Sequence, residues 1–140
     1  KVIGFTPAYH YQYLERSQSI SKTHTLKGLD ILNAVKTVSL KFDESRYHSH
    51  KNALKGFQIL EGVYTFLAYL AFVKNKADFY KMSRILDEFI KDNDINTKDI
   101  LQYKRFGRNY LLSLPLRKKV YYVLSIFRLR HIVRILTIKK

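Results

Sequence analysis

The side chains with most chemical potential in this chain are cations. Residues 101–140 hold eleven Lys and Arg and no acid, whereas residues 1–100 carry a modest +4. Every one of the eleven acids lies at or before Asp99. Such a segment, also rich in Leu, Ile, Val, Phe and Tyr, calls for a polyanionic neighbour: an anionic membrane, a nucleic acid or a phosphorylated substrate. Arg117, Lys118, Lys119, Arg128, Arg130 and Arg134 are the candidate contacts.

Other site chemistries find little support. With no cysteine in the chain, disulfides, thiolate zinc sites and cysteine nucleophiles are excluded. His48 and His50 stand two apart, so on a helix they diverge, and the i,i+4 metal-binding spacing is missing. Asp92-Asn93-Asp94 lies in a polar run between two apolar stretches and reads as a turn. Five scattered glycines form no phosphate-cradling loop.

The elements that must hold the cations read as helices. Leu29, Leu32, Val35 and Val38 mark the first, with Thr25 or a neighbour as its cap. A second, over about 46–74, places Leu54, Phe57, Leu60, Tyr64, Leu67 and Ala71 at three- and four-residue spacing. Its half from Val63 to Val73 is apolar on all sides and should be the most buried. That run is too short to span a bilayer, which takes about twenty residues. Asp78 to Ile90 is strongly amphipathic, and Asn96 with Asp99 resembles a capping box. Gly107 is expected to stop the helix that follows.

Two more helices are expected over 116–126 and 129–138. In the last, Leu129, Ile132, Val133 and Leu136 fall within about 100° of one another, while Arg130, Arg134 and Thr137 form a separate polar stripe. Cations, tyrosines and an apolar face suit a helix lying in an anionic headgroup layer. The same pattern also suits a helix whose apolar face packs on the bundle while its cations stay solvated. Nucleic acid is the weaker polyanion, because the cations are mixed with large aliphatics.

The N-terminal residues read differently. Val2 to Phe5 is β-prone, and Tyr9, Tyr11 and Tyr13 alternate with His10 and Gln12. Two strands cannot stand alone. With Met82 the only methionine, the chain is expected to be a piece of a longer protein whose preceding domain ends here.

The run Tyr9-His-Tyr-Gln-Tyr-Leu-Glu-Arg-Ser-Gln-Ser-Ile-Ser21 resembles the end of the GT-A core of bacterial family 2 glycosyltransferases. There a strand of alternating aromatics leads into an arginine, and a Ser-Ile or Ser-Leu pair follows. The stretch Leu114 to Tyr122 looks like the C-terminal ends of polysaccharide and teichoic-acid transferases. The resemblance implies that Arg16, Ser17 and Ser19 contact the donor diphosphate and that residues 17–24 form a lid. An arginine there would supply permanent multi-donor contact as leaving-group charge grows.

The resemblance further implies a nucleotide-sugar donor, a glycan acceptor and a divalent metal (Mg or Mn) in the whole enzyme. The metal-binding Asp-x-Asp motif and the catalytic base would lie upstream, so residues 1–140 alone are expected to transfer no sugar. The expected fold is mainly α: a small helical bundle over 25–109, basic amphipathic helices over 110–140, and a β-like stub over 1–24. The expected place is the cytoplasmic face of the plasma membrane, bound peripherally. The competing reading is a non-catalytic basic helical module that binds nucleic acid or a protein partner.

Overall fold

A computed structural model describes residues 26–42, 46 and 48–138. The β-like stub, the Thr25 cap and the candidate diphosphate residues Arg16, Ser17 and Ser19 lie outside the described residues. What is described is mainly helical, with a single small hairpin.

A 3-10 turn over Leu26–Gly28 leads into α1 (Leu29–Leu40), which buries Leu32 and Val35. The expected second helix begins with a 3-10 turn at His48–His50 and continues as α2 (Lys51–Phe57), a π-helical segment (Gln58–Tyr64) and α3 (Thr65–Leu70). Backbone angles stay helical across the two joints from α2 to α3, so these three form one rod. The Thr65 hydroxyl donates to the Leu60 carbonyl at 3.1 Å, five residues back, which fits the wider π ladder. Val63, Tyr64, Phe66, Leu67, Leu70 and Val73 are all buried, as an apolar helix at the centre of a bundle requires.

α4 (Lys76–Asp92) presents Phe79, Met82, Leu86 and Phe89 to this rod. Its start is capped by Asn75, whose side chain accepts from the Asp78 amide. Gly62 allows the approach: a Cβ there would lie 2.6 Å from the buried Phe89 ring. α4 ends in a Schellman turn. Asp94 stands at φ 49°, the Ile95 amide reaches the Ile90 carbonyl, and the Asp94 amide reaches Lys91. The capping box forms at α5 (Thr97–Gln102), with Asn96 and Asp99 each bonding the other's backbone amide.

Gly107 does not stop a helix. α5 ends at Gln102, and Gly107 sits in the turn of a two-strand hairpin, β1 (Lys104–Arg105) and β2 (Arg108–Asn109). Phe106 and Gly107 both have positive φ, 52° and 78°, as the mirror-image turn of a two-residue loop demands. Asn109 then caps α6 (Tyr110–Ser113) through the Leu112 amide and also donates to the Leu101 carbonyl.

After Pro115 come α7 (Leu116–Ile126) and α8 (Arg130–Ile138), within a residue of the expected bounds. A second Schellman turn joins them, with Arg128 rather than glycine in the left-handed position at φ 60°. Both helices share the core. Tyr122 and Val133 are buried in it, and the Tyr121 hydroxyl donates to the Leu67 carbonyl at 2.6 Å.

Candidate functional site

The basic C-terminal helices form the candidate site, and their side chains fall into two sets. Arg117 and Lys118 are exposed in the first turn of α7, with Lys119 half-buried beside them. Three cations at a helix N-terminus oppose the helix dipole, each at a cost of about 0.3–1 kcal/mol where exposed. Helix stability therefore does not account for them. Arg128 is also solvent-facing, although its Nε lies 3.4 Å from Asp87.

Arg130 and Arg134 belong to the other set. Arg130 pairs with Asp87 of α4. Arg134 is only 8 % exposed; its Nη1 donates to the Val73 carbonyl at 2.7 Å, and its Nη2 to that of Lys74. The guanidinium carbon lies 5.3 Å from the Phe79 ring centre. On the exposed side of the same helix the Tyr80 hydroxyl and His131 Nδ1 are 3.0 Å apart.

α8 is thus turned from its expected orientation. Its arginine stripe faces the bundle alongside Val133, while Leu129 just before it and Ile132 and Ile135 within it face out, Ile135 at 59 % exposure. The physical reason lies at the end of the central rod. The carbonyls of Val73 and Lys74 follow the last helical turn and need donors that no apolar side chain supplies. A guanidinium supplies several at once and covers Phe79 with its face. Asp87 holds the same edge of α8 through Arg130.

The outward apolar side chains continue onto α7. Leu116 and Val120 stand four residues apart on one side of α7, and Leu112 of α6 and Phe127 at the joint are also exposed. Among the described residues no acid follows Asp99, so α7 and α8 bear no acid of their own, and Asp87 of α4 is the carboxylate that reaches Arg128 and Arg130. No helix among the described residues is long and apolar enough to cross a membrane.

His48 and His50 are exposed, and among the described residues no three metal-ligating side chains come together. Asp92-Asn93-Asp94 closes α4 as a turn. Four tyrosines, Tyr64, Tyr103, Tyr110 and Tyr122, meet edge-on or tilted around Tyr64, at 4.7 Å from Tyr110 and 5.3 Å from Tyr122. The Tyr64 hydroxyl donates to the Ile100 carbonyl. Burial pushes the Tyr64 and Tyr121 hydroxyls well above the usual tyrosine range and that of Tyr122 up to about 12. This cluster is an interior joint.

Asp87 was not singled out in the sequence. Flanked by Leu86 and a second acid, Glu88, it carried no local signal that set it apart. No protein-family model, no curated protein and no solved structure matches the chain.

Proposed function

We propose that this chain is a helical region that holds its parent enzyme against an anionic membrane. The observation that carries the reading is the outward face of α7 and α8. Leu116, Val120, Phe127, Ile132 and Ile135 lie exposed beside Arg117, Lys118 and Arg128. Apolar side chains enter the acyl boundary while cations remain among headgroup phosphates, each contributing about 1 kcal/mol near such a surface. A polar recognition surface for nucleic acid has no use for so many exposed aliphatics.

The parent reading rests on the resemblance carried by Tyr9 to Ser21: a family 2 glycosyltransferase acting on the cytoplasmic side of the plasma membrane. It would transfer the sugar of a nucleotide-sugar donor to a surface-glycan acceptor, the nucleotide diphosphate leaving, with metal chemistry in its upstream domain. A lipid-linked acceptor would give such an enzyme reason to dock. Membrane docking and donor chemistry are separable and are tested apart.

Docking is tested by cosedimentation with vesicles of phosphatidylglycerol and phosphatidylcholine, against phosphatidylcholine alone. The Arg117→Ser, Lys118→Ser, Arg128→Ser triple variant leaves Arg130 and Arg134 in their structural roles. Preference of the wild type for anionic vesicles, weakened in the variant, supports docking; equal binding by both proteins refutes it. The donor role is tested in the full-length enzyme, where Arg16→Ala should lower turnover by roughly 100-fold if Arg16 stabilises the leaving diphosphate.

A further inference from the structure

On the side of the bundle formed by α1, α2 and the end of α4, a groove of about 580 Å³ opens to solvent. We propose that it binds a short uncharged saccharide. The inference stands on the groove alone and is independent of membrane docking.

At its floor lies Gln58, 7 % exposed and the first residue of the π-helical segment. Such segments are frequent at functional sites, because the extra residue displaces side chains from the α-helical register. The Gln58 amide nitrogen donates to Ser39 Oγ at 3.0 Å and to Asn93 Oδ1 at 2.8 Å. Its orientation is dictated by these neighbours. Ser39 already donates its hydrogen to the Val35 carbonyl, and Asn93 donates its amide nitrogen to Phe89, so both can only accept from Gln58.

Both Gln58 amide hydrogens are thereby consumed, and Oε1 receives no hydrogen bond from the described residues. Nor is Oε1 among the described side-chain atoms that are sealed from solvent without a partner. A nearly buried acceptor, held rigidly by two elements, therefore faces the groove. It requires a donor from whatever occupies that space.

The walls define the ligand further. Lys36, Lys51 and Lys55 stand on the α1 and α2 side, Lys55 already paired with Asp99 at 2.7 Å, and Asp92 and Asp94 on the α4 side, with Leu40 and Leu54 as apolar strips. Lys36 and Asp92 approach only to 3.8 Å and both are half exposed, so a ligand can separate them at little cost. An anion would meet the carboxylates, and a cation the lysines. A neutral polyol is welcome on every side: its hydroxyls donate to Gln58 and the carboxylates and accept from the lysines, and its C–H face covers the leucines. The volume suits a ligand of two or three sugar rings.

The test is ¹H–¹⁵N NMR of the chain titrated with cellotriose and with chitotriose. Glucose 6-phosphate serves as an anionic control and γ-aminobutyrate as a zwitterionic one. Saturable shifts of the Ser39, Gln58 and Asn93 amides with either trisaccharide, and a dissociation constant on the order of 1 mM, are expected. Asp92→Ala and Lys36→Ala, both at exposed positions that leave the spectrum folded, should each weaken binding about fivefold, as for one lost ligand hydrogen bond. Absence of shifts with both trisaccharides, shifts located elsewhere, or selective binding of either control would overturn the proposal.

Discussion

Arg134 lies over the ring of Phe79 and donates to the Val73 carbonyl, sixty-one residues earlier in the chain. This one side chain closes the end of the central rod, covers the first buried aromatic of α4 and sets the rotation of α8. Arg134→Met keeps the apolar stem but leaves two carbonyls without their donor. Charged hydrogen bonds of this kind contribute about 1.5–3 kcal/mol each, so a loss of about 3 kcal/mol is expected in urea unfolding. Arg134→Lys should recover part of it, having one point donor in place of a fork.

Gly62 makes a separate demand on the core. A methyl group there meets a fully buried phenyl ring at 2.6 Å. Gly62→Ala should therefore destabilise by about 1–3 kcal/mol despite alanine's better helix propensity. Thermal unfolding reads this directly, and Phe89→Leu in the same chain should return part of the loss by making room.

The outward isoleucines offer the opposite case. Ile132→Ser with Ile135→Ser removes no buried contact, so stability should stay within about 0.5 kcal/mol. Binding to anionic vesicles should nonetheless fall about tenfold or more, because two aliphatic side chains no longer leave water. Loss of folding together with binding would instead place these residues inside the structure.

Alkaline pH should unfold the protein through its interior tyrosines. Burial raises Tyr122 to about 12 and pushes Tyr64 and Tyr121 upward as well. The folded state thus retains protons that the unfolded chain releases above about pH 10, so stability is complete below that value and declines as pH rises. The Tyr122 share is lost up to about pH 12. Tyr122→Phe should flatten this decline by one proton, seen as a shallower fall of Tm between pH 9 and 11.

Local signals carried much of this architecture. The apolar spacing from Phe79 to Ile90 marked α4 to within two residues, and Asn96 with Asp99 announced the capping box. α7 begins at Leu116, where the spacing put it. Long-range needs were not visible in the same way. Amphipathic spacing grouped Val133 with Leu129 and Ile132, yet Val133 turns inward beside Arg134 and the other two face out, because what sets the rotation of α8 is a pair of carbonyls belonging to another element. Gly107 showed that the chain must bend, yet helix stop and hairpin turn ask for the same residue; two short strands decided it. The groove was equally hidden, since Ser39, Gln58 and Asn93 meet only after folding. The candidate diphosphate residues Arg16, Ser17 and Ser19 remain an expectation from resemblance alone.

The inward turn of Arg130 and Arg134 alters how the molecule looks from a distance. Two of the six cations first counted as contacts act as internal counterions and hydrogen-bond donors, so formal charge overstates the attraction felt by an approaching bilayer. Of the six, the side chains free to come within a Debye length of headgroups, about 8 Å in physiological salt, are those of Arg117, Lys118 and Lys119 at the start of α7 and Arg128 after its end. Capture should accordingly be polar in its geometry, with the first turn of α7 arriving ahead of α8 and the isoleucines settling afterwards.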